Sequence, residues 1–574
     1  MKKCNFLLVS AIVVGVMFVG CNPLKKMKEN ASSVSYNANP PVLELVGESV
    51  DVIFNGSYPP NYFNQNVTVT LTPVLRGGGS ELELPELKVE GENVKSTENN
   101  RVIKYDTGGS FPYGEKIAYK PEFQVSELSL NIVGSDKKGR MLPFEPVKLA
   151  DGIITTCLLV EKDGKTIFAS DKYVRIIPDT YEADIKYMIQ QAEVRTAETR
   201  KPEISALVDA VKAANDNERV SFTGTELSAY ASPDGPTDLN EKLSGNRGRT
   251  GLDFFNRTFR TAKVNDVMGS DLLKVVNTPE DWEGFKTAME KSNIRDKELV
   301  LRVLSMYSDP EVREREIKNI TAAFEEIKEK ILPELRRSKL TVNVELVGLS
   351  DEEINAQFDT DPTVLKLEEI LYAGTLTQDD NRKVAIYQAA ARQYPSDFRT
   401  KNNYGAALLN VGRTAEAKTA LNEAKAVADN EMVKNNLAVV ALREGNISAA
   451  EELLNAAGAG NEVKYNLGTV KIIQGNYNDA IAHFGNQVEV NAALAKLLLK
   501  DNDGALSTLN AIKSEDALVY YLKAIVGART NNNDLMMNNL RTACQKSAEL
   551  KANAAKDVEF AKFFSDSNFR TIVQ

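Results

Sequence analysis

Few residues in this chain belong to the types that enzymes use for catalysis. The only histidine, His483, precedes Phe484 in an apolar helical segment, where packing or exposure is commoner than general-base catalysis. The four cysteines lack the paired spacing of zinc or thiol sites, and no glycine-rich loop has the lysine of a phosphate-binding motif. Aspartate and glutamate are plentiful, which leaves a carboxylate-dependent hydrolase as an alternative. We expect a non-enzymatic protein with no metal and no cofactor.

Cys21 has the most specific predicted chemistry, which is lipidation. Lys2 and Lys3 precede an apolar run, residues 6–20, that is too short to span a bilayer and stops at Cys21. The sequence resembles a bacterial lipoprotein signal, with Phe18 where leucine is usual. This resemblance implies cleavage of residues 1–20 and acyl chains, such as palmitate, on Cys21, which would anchor the protein stably in a membrane. The alternative is an ordinary secretory signal with an incidental cysteine.

The residues after Cys21 predict a tether and a compartment. The segment 21–41 is polar and has no apolar periodicity, which is typical of a flexible tether. It lacks the acidic run that resembles the surface-export signal of Bacteroidetes lipoproteins, and this favours the periplasmic face of the outer membrane. Cys157 and Cys544 fall in different predicted domains, so we do not expect a disulfide.

The most informative motif is AYASPDGPTDLNEKLSGNRGRT, residues 229–250. A strand, a turn at Gly235 and a helix beginning N-x-x-L-S-x-x-R follow in that order. The motif resembles the OmpA-like peptidoglycan-binding domain, with Asn240 and Arg247 in the helix pattern. The resemblance implies an α/β fold in which an aspartate binds the amine, and an arginine the carboxylate, of a stem-peptide amino acid. One fixed anion and one fork-shaped cation suit such a zwitterion.

The family's aspartate position is occupied by Ser232, which cannot pair with an ammonium group as a charge. Asp234 could substitute if the turn directs it inward, and Asp238 is a weaker substitute. The alternative is that Asp234 only stabilises the turn and that Arg247 pairs with a neighbouring helix. The candidate peptidoglycan-binding residues are therefore Ser232, Asp234, Asn240 and Arg247.

The 574 residues predict three to four folding units, and their composition changes along the chain. Residues 42–180 alternate polar with β-branched or aromatic residues, as in VDVIF and VTVTLTPVL, and predict an antiparallel β-sandwich. Within it Tyr58, Tyr62 and Phe63 could form a binding patch or, alternatively, a packed loop.

Residues 181–348 alternate strands and helices, which predicts an α/β or α+β class. The resemblance of the motif implies that this region is the α/β OmpA-like domain. A strand-like segment, residues 185–195, precedes a helix with an apolar face. The motif helix should have an apolar side that includes Leu239 and Leu243. A helical insertion, about residues 264–337, intervenes before the closing strand KLTVNVELVG and could block or replace the ligand groove.

Residues 361–574 carry a repeat of helical hairpins. Small residues recur in the first helices at spacings of 33, 30, 25 and 31, namely Gly405, Ala438, Gly468, Ala493 and Ala524. In four of these hairpins a small residue follows 12 positions later, and a larger apolar residue follows after four more. These segments resemble tetratricopeptide repeats, which implies an all-α solenoid whose inner groove binds an extended or helical peptide. The terminal residues would cap the solenoid.

The formal charge of -10 comes from interleaved signs, and without a basic stripe we expect no nucleic-acid partner. The order of the modules indicates an outer-membrane lipoprotein of the Bacteroidetes type. Its repeats would scaffold protein partners, and it could tether the membrane to peptidoglycan. The first alternative is a scaffold subunit of an outer-membrane or secretion assembly without peptidoglycan binding, a possibility that Ser232 favours. The second is the hydrolase.

Overall fold

The computed structural model of the protein describes residues 22–94, 100–264 and 266–574. The predicted signal peptide and Cys21 lie outside these residues, so cleavage and lipidation stay predictions. The chain divides into two units. The first joins the residues up to Ala169 with Asp379–Gln574, and the second is Ser170–Gln378. The first unit contains a β-rich region and the C-terminal helices, which are far apart in sequence.

The β-rich region begins with a short helix and continues with strands. Its described elements are α1 (Pro23–Glu29), β1 (Ser35–Ala38), β2 (Val42–Val46), β3 (Ser49–Tyr58), β4 (Val67–Gly77), β5 (Ser80–Glu83), β6 (Leu87–Gly91), β7 (Arg101–Ile103), β8 (Gly109–Ala118), β9 (Ser126–Asp136), β10 (Met141–Pro143) and β11 (Val147–Ile154).

Period-two patterning places one face of these strands in the core. In β3 the side chains of Val50, Val52 and Phe54 are buried and alternate with exposed neighbours. The strands form one continuous hydrogen-bonded sheet in the order β1-β3-β2-β11-β9-β4-β6-β7, with β10, β5 and β8 pairing at its sides. The pairs β2–β11 and β6–β7 are parallel. The predicted strand-rich region is present, but the pairing is mixed rather than purely antiparallel. Strand β2, for example, lies antiparallel to β3 on one side and parallel to β11 on the other.

The segment expected to be a flexible tether is instead ordered. Helix α1 begins one residue after Asn22, whose side chain accepts a hydrogen bond from the Leu24 N–H at 3.2 Å. Leu24 and Met27 are buried in the β-rich core, and β1 pairs with β3. The tether prediction missed these apolar residues because they are only two among many polar neighbours, too few for a periodic pattern.

The second unit alternates strands and helices. Its described elements are β12 (Ile176–Lys186), α2 (Thr196–Thr199), α3 (Pro202–Asn215), β13 (Val220–Tyr230), α4 (Thr237–Ala262), β14 (Leu273–Thr278), α5 (Trp282–Lys291), α6 (Lys297–Met306), α7 (Pro310–Asn319), α8 (Thr321–Lys330), α9 (Leu332–Leu335), β15 (Arg337–Val347), α10 (Asp351–Thr360) and α11 (Leu367–Ala373).

The sheet of this unit has the order β12-β15-β13-β14, with β13 and β14 parallel and the other pairs antiparallel. Helices α3 and α4 pack on it through residues such as Val211, Phe255 and Phe259. The helices of the predicted insertion are present as α5–α9, which have an apolar core of their own. The expected start near residue 264 was wrong, because β14 lies inside these bounds and pairs with β13 as part of the sheet. The unit extends to Gln378, so α10 and α11 belong to it and not to the repeats, which were expected from residue 361.

The C-terminal region of the first unit is an all-helical array of hairpins, consistent with a tetratricopeptide-repeat solenoid. Its described helices are α12 (Asp380–Gln393), α13 (Phe398–Asn410), α14 (Thr414–Val427), α15 (Glu431–Arg443), α16 (Ile447–Asn455), α17 (Asn461–Ile473), α18 (Tyr477–Phe484), α19 (Val490–Leu498), α20 (Asn502–Ala511), α21 (Ala517–Arg529), α22 (Asn533–Lys546), α23 (Ala548–Ala554) and α24 (Ser567–Val573).

The small residues of the repeat accept larger side chains from the second helix of the same hairpin. A Cβ added at Gly405 would lie 2.5 Å from Leu421 Cγ, and one at Gly468 would lie 2.6 Å from the Phe484 ring. This confirms the predicted complementarity of small and large positions. The short spacing of 25 is accommodated by shorter helices, since α18 has only 8 residues.

Candidate functional site

The concave groove of the repeats holds an extended segment of the same chain. This segment, Val160–Ala169, follows the β-rich region and leads into the second unit, and we call it the strap. It lies along the first helices of four hairpins, α13, α15, α17 and α19. It runs antiparallel to the solenoid, from α19 at its start to α13 at its end. The sequence predicted that this groove binds a peptide; in the structure the peptide is the chain's own.

Four asparagines bind the backbone of the strap, each through two hydrogen bonds to one strap residue. In each pair the asparagine Oδ1 accepts from the strap N–H and its Nδ2 donates to the C=O of the same residue. The pairs, with the two distances in that order, are Asn491 with Glu161 (2.9 and 2.8 Å), Asn466 with Lys165 (2.7 and 2.9 Å), Asn436 with Ile167 (2.8 and 2.8 Å) and Asn403 with Ala169 (2.7 and 2.9 Å).

Two further asparagines connect these pairs into a network. Asn402 donates to the Ile167 carbonyl at 3.0 Å, and Asn435 donates to the Lys165 carbonyl at 2.9 Å. Asn436 in turn donates to Asn402 Oδ1 at 3.0 Å. All of these asparagines are buried. Because buried amides need partners, and because the strap supplies them, the groove and the strap stabilise each other.

Side chains of the strap also contact the groove. The ammonium group of Lys165 lies 4.7 Å from the centre of the Tyr465 ring and forms an ion pair with Glu489. The ring of Phe168 packs against Tyr387 at 5.7 Å between centroids. Gly164 has φ +68°, and a Cβ there would lie 2.9 Å from Val439 Cγ2, so this position needs glycine.

The strap enters the groove through an acidic region. Burial, together with the negative charges of Asp516, Asp163 and Glu489, raises the pKa of the Glu161 carboxyl to about 7. Each of these neighbours disfavours ionisation of Glu161. The negative charge at this end of the groove is therefore only partly compensated.

We call Asn403, Asn436, Asn466 and Asn491 the asparagine ladder. It was not predicted from the sequence, although the positions of these asparagines follow the repeat. Each of the four asparagines lies two positions before a recurring small residue that defines the repeat: Gly405, Ala438, Gly468 and Ala493. A polar residue at a fixed repeat position beside a buried small residue indicates a shared ligand along the groove. The fifth hairpin has Leu522 at this position, so the ladder ends there.

Arg247 lies in the second unit and is 1% exposed. Its guanidinium donates to the carbonyl oxygens of Gln191 at 3.0 Å, Tyr230 at 2.8 Å and Met188 at 3.4 Å. Burial and the positive charge of the nearby Arg336 lower the pKa of Arg247 to about 10, while Tyr187 and Asp234 oppose this shift. Met188 and Gln191 belong to the segment that we expected to continue a strand. The strand ends at Lys186, and the following residues cover the guanidinium.

Asp234 and Ser232 contact a different cation, Arg336, which precedes β15. The Arg336 Nη2 lies 3.2 Å from Asp234 Oδ2, and its Nε donates to Ser232 Oγ at 3.2 Å. Ser232 Oγ also donates to Asp234. The turn thus directs Asp234 inward, as one interpretation required, but the partner of its carboxylate is a residue about a hundred positions away in the sequence.

The face of α4 that lies against the sheet includes Asn240 and excludes Leu239. Asn240 is buried and donates to the Gly235 carbonyl at 3.1 Å, which stabilises the turn. Leu239, expected on the buried side, is 36% exposed, and Asp238 is exposed as well. Small and polar residues, including Ser244 and Gly248, line the buried face in this half of the helix, and a Cβ added at Gly248 would overlap Asn277 Oδ1. The side chains of the predicted site are therefore close together but satisfied by one another and by the backbone.

The remaining candidates are structural. Tyr58 and Phe63 are buried and their rings pack edge to face at 4.9 Å, as the packed-loop alternative predicts. His483 is partly buried, and burial together with Lys471 lowers its pKa. Cys157 and Cys544 are buried free thiols. Within the described ranges, no group of three or more histidine, cysteine or acidic side chains could hold a metal ion. No helix in the same ranges has both the length and the apolarity to cross a bilayer.

Three solved structures illustrate what the chain is similar to. The Cut9–Hcn1 hetero-tetramer of the APC/C is 14% identical with a TM-score of 0.32; the match covers 64% of this chain and 59% of that one. A tetratricopeptide repeat protein from Parabacteroides merdae is 11% identical (TM-score 0.28; 39% and 89% covered). Yeast Tom70 is also 11% identical (TM-score 0.26; 65% and 88% covered). These values are too low to transfer a function. No family model and no curated protein matches the sequence.

Proposed function

We propose that this protein is a non-enzymatic, lipid-anchored scaffold of the outer membrane that organises protein partners through its repeat-containing unit. The asparagine ladder carries this proposal. It shows a groove built to hold an extended backbone by neutral amides, which is the chemistry of peptide binding. The groove residues that contact the strap bind and position it, and none of them forms a nucleophile with an adjacent base.

The strap occupies the groove and connects two parts of the first unit. Because the strap joins the β-rich region to the second unit, holding it in the groove fixes the β-rich region to the repeats. Lys500 and Glu44 add an ion pair at 2.9 Å between these two parts of the first unit. A partner peptide would have to displace the strap from the ladder. We therefore propose that partners bind the surfaces of the repeats that the strap leaves open.

Cross-linking in intact membranes tests the scaffold. The tagged chain would be cross-linked, purified and digested, and its linked peptides identified by mass spectrometry. We expect links from residues 379–574 to peptides of other proteins, at positions outside the strap groove. Links confined to the chain itself would contradict a scaffolding role. Links to residues within the strap groove would contradict this placement and show that partners displace the strap.

Lipidation of Cys21 is the proposed means of anchoring, and the ordered segment that follows it adds a constraint. Since α1 begins at Pro23 and packs on the β-rich region, acyl chains on Cys21 would hold this region close to the membrane. Metabolic labelling with an alkyne analogue of palmitate should mark the wild type and leave Cys21→Ala unlabelled. A labelled Cys21→Ala variant would place the lipid elsewhere.

Peptidoglycan binding is the second candidate, and the geometry favours a scaffold without it. A zwitterionic ligand needs a free carboxylate and a free guanidinium, but Asp234 pairs with Arg336 and the buried Arg247 donates to three backbone carbonyls. We expect the mature protein to stay in the supernatant when purified sacculi are sedimented. Sedimentation with sacculi that is lost in Arg247→Lys would instead support the membrane-to-wall tether.

A further inference from the structure

The concave face of the repeats is covered by the strap only as far as Asn491. In the next hairpin Leu522 replaces the asparagine and is buried, so no amide there could hold an additional strap residue. Beyond this point, between the start of the strap and helices α21–α23, lies an open pocket of about 640 Å³. We call it the end pocket.

The end pocket has an apolar floor and an acidic rim. Four leucines supply the apolar lining, which we call the floor: Leu158, Leu159, Leu518 and Leu550, of which Leu158 is 55% exposed. Four carboxylates line the rim: Glu161, Glu515, Asp516 and Glu549. The pocket contains one cation, Lys546, which pairs with Glu515 at 3.2 Å.

The charges of the rim are not balanced within the pocket. Burial, followed by the negative charge of Asp516, raises the pKa of Glu161 and so disfavours its ionised form. The covered part of the groove shows how such a region is satisfied. There the strap places the ammonium group of Lys165 between Glu489 and the Tyr465 ring. The end pocket shares Val160 and Glu161 with the strap, and the one cation that lines it, Lys546, comes from α22 and not from the strap.

We propose that the end pocket docks a cationic amphipathic segment of a partner protein, with lysine or arginine on the carboxylate rim and an aliphatic side chain on the leucine floor. This inference rests on the proposed scaffold function and names the chemistry of the partner. It follows from charge complementarity and from continuity with the strap groove.

Fluorescence anisotropy of a labelled peptide tests the proposal. The probe is Gly-Lys-Leu-Leu-Lys-Gly with a fluorescein label, a counterpart with glutamate in place of lysine is the negative probe, and the protein is residues 22–574. We expect saturable binding of the lysine probe only. The double variant Asp516→Asn with Glu549→Gln should raise Kd at least tenfold. Asparagine at 516 still caps α21, where Asp516 accepts from the Leu518 N–H, so folding is preserved.

A matched variant distinguishes the pocket from the overall negative charge. Glu452→Gln with Asp503→Asn removes the same two charges from exposed positions that do not line the pocket, and should change Kd less than twofold. Leu158→Ser should raise Kd at least threefold, because it removes exposed apolar surface from the floor. No saturable binding, or equal weakening by both double variants, would overturn the proposal.

Membrane cross-linking separates this inference from the scaffold itself. If the pocket variant loses peptide binding and one set of cross-linked partners while the matched variant keeps both, the two proposals stand together. If partners remain cross-linked to the pocket variant at wild-type levels, the scaffold stands and the end pocket is not its docking site. If the peptide binds but no partner is cross-linked to the wild type, the scaffold fails although the pocket binds cations.

Discussion

The repeat groove and the Asp234–Arg247 region are both places where the sequence predicts ligand binding, and in both the chain fills the site with its own groups. They do so by different chemistry. In the groove, neutral amides bind a neutral backbone, and each partner is fully paired. In the second region, charged groups are paired with Arg336 or with carbonyl oxygens, and burial lowers the pKa of Arg247 to about 10.

This difference teaches how each region would respond to a competing ligand. One asparagine amide bonds both the N–H and the C=O of a strap residue without burying a charge. A partner peptide would therefore have to replace well-paired hydrogen bonds to enter the groove. The buried guanidinium has no carboxylate among its hydrogen-bond partners, which is less favourable than an ion pair. The groove is therefore a junction held by neutral groups, whereas the Arg247 region holds a buried cation on neutral carbonyl oxygens.

The largest expected effect is in the ladder. Asn436→Ala should lower the free energy of unfolding of the first unit by about 3 kcal/mol, because it removes the acceptor of the Ile167 N–H, one of the two donors to the Ile167 carbonyl and the donor to Asn402 Oδ1. Denaturation by urea measures the effect. Asn410→Ala is the matched control, since Asn410 is exposed and contacts only the Thr166 hydroxyl of the strap, and it should cost under about 0.5 kcal/mol. Equal effects would show that the ladder does not hold the strap.

The next effect sharpens the comparison in the second unit. Arg247→Ala should cost about 2–3 kcal/mol, because the Met188, Gln191 and Tyr230 carbonyls lose their donor and a cavity opens. Hydrogen exchange should accelerate in residues 188–195 and not in the strap. Arg249→Ala, an exposed neighbour on the same helix, should leave exchange unchanged. An Arg247→Ala protein more stable than the wild type would indicate a cation retained for a ligand.

A smaller effect is expected at Gly164 in the strap. Gly164→Ala should cost about 1–2 kcal/mol, since a Cβ at φ +68° is strained and would contact Val439. Gly139→Ala provides the control, because Gly139 has φ +76° with nothing within 4 Å of the added Cβ. The difference between the two thermal unfolding measurements isolates the contact with the groove. No difference would mean that the strap is loosely held at this point.

The smallest effect is a pH dependence at the strap entrance. The raised pKa of Glu161 means that the folded protein keeps a proton that the unfolded chain releases between about pH 4.5 and 7. This contribution to stability is present at low pH and is lost as pH rises. Glu161→Gln should therefore gain stability relative to the wild type at pH 8 compared with pH 5, in urea titrations at both values. Glu452→Gln, at an exposed position, controls for loss of a surface carboxylate. If the gain in stability is the same at both pH values, the pKa of Glu161 is not raised by its neighbours.

Much of the fold could be predicted because its signals are local. The period-two runs predicted β3 and β4. The recurring small residues predicted the hairpins and the positions where a large side chain, such as Leu421 or Phe484, packs against a small residue. The tether was mispredicted because Leu24 and Met27 are too few to form a pattern. The mixed sheet could not be predicted because the β2–β11 pairing joins strands about a hundred residues apart.

The sequence indicated which residues of the candidate sites are polar or charged, but it did not indicate their partners. The Asp234 side chain turns inward, yet nothing near it in the sequence points to Arg336. The ladder asparagines occupy a fixed repeat position and could have been found, but their ligand could not. Residues 160–169 belong to no helix or strand, and no periodic pattern in them marks a segment that would bind the groove.

By itself the sequence determined the β-rich region, the alternating second unit and the repeat array, because periodicity of apolar residues specifies elements and their buried faces. It also supplied Cys21, whose lipidation stays a prediction. Only the tertiary structure decided that the strap fills the groove and that Arg336 pairs with Asp234. Both outcomes depend on contacts between residues a hundred or more positions apart, and such contacts are fixed by packing rather than by any local pattern.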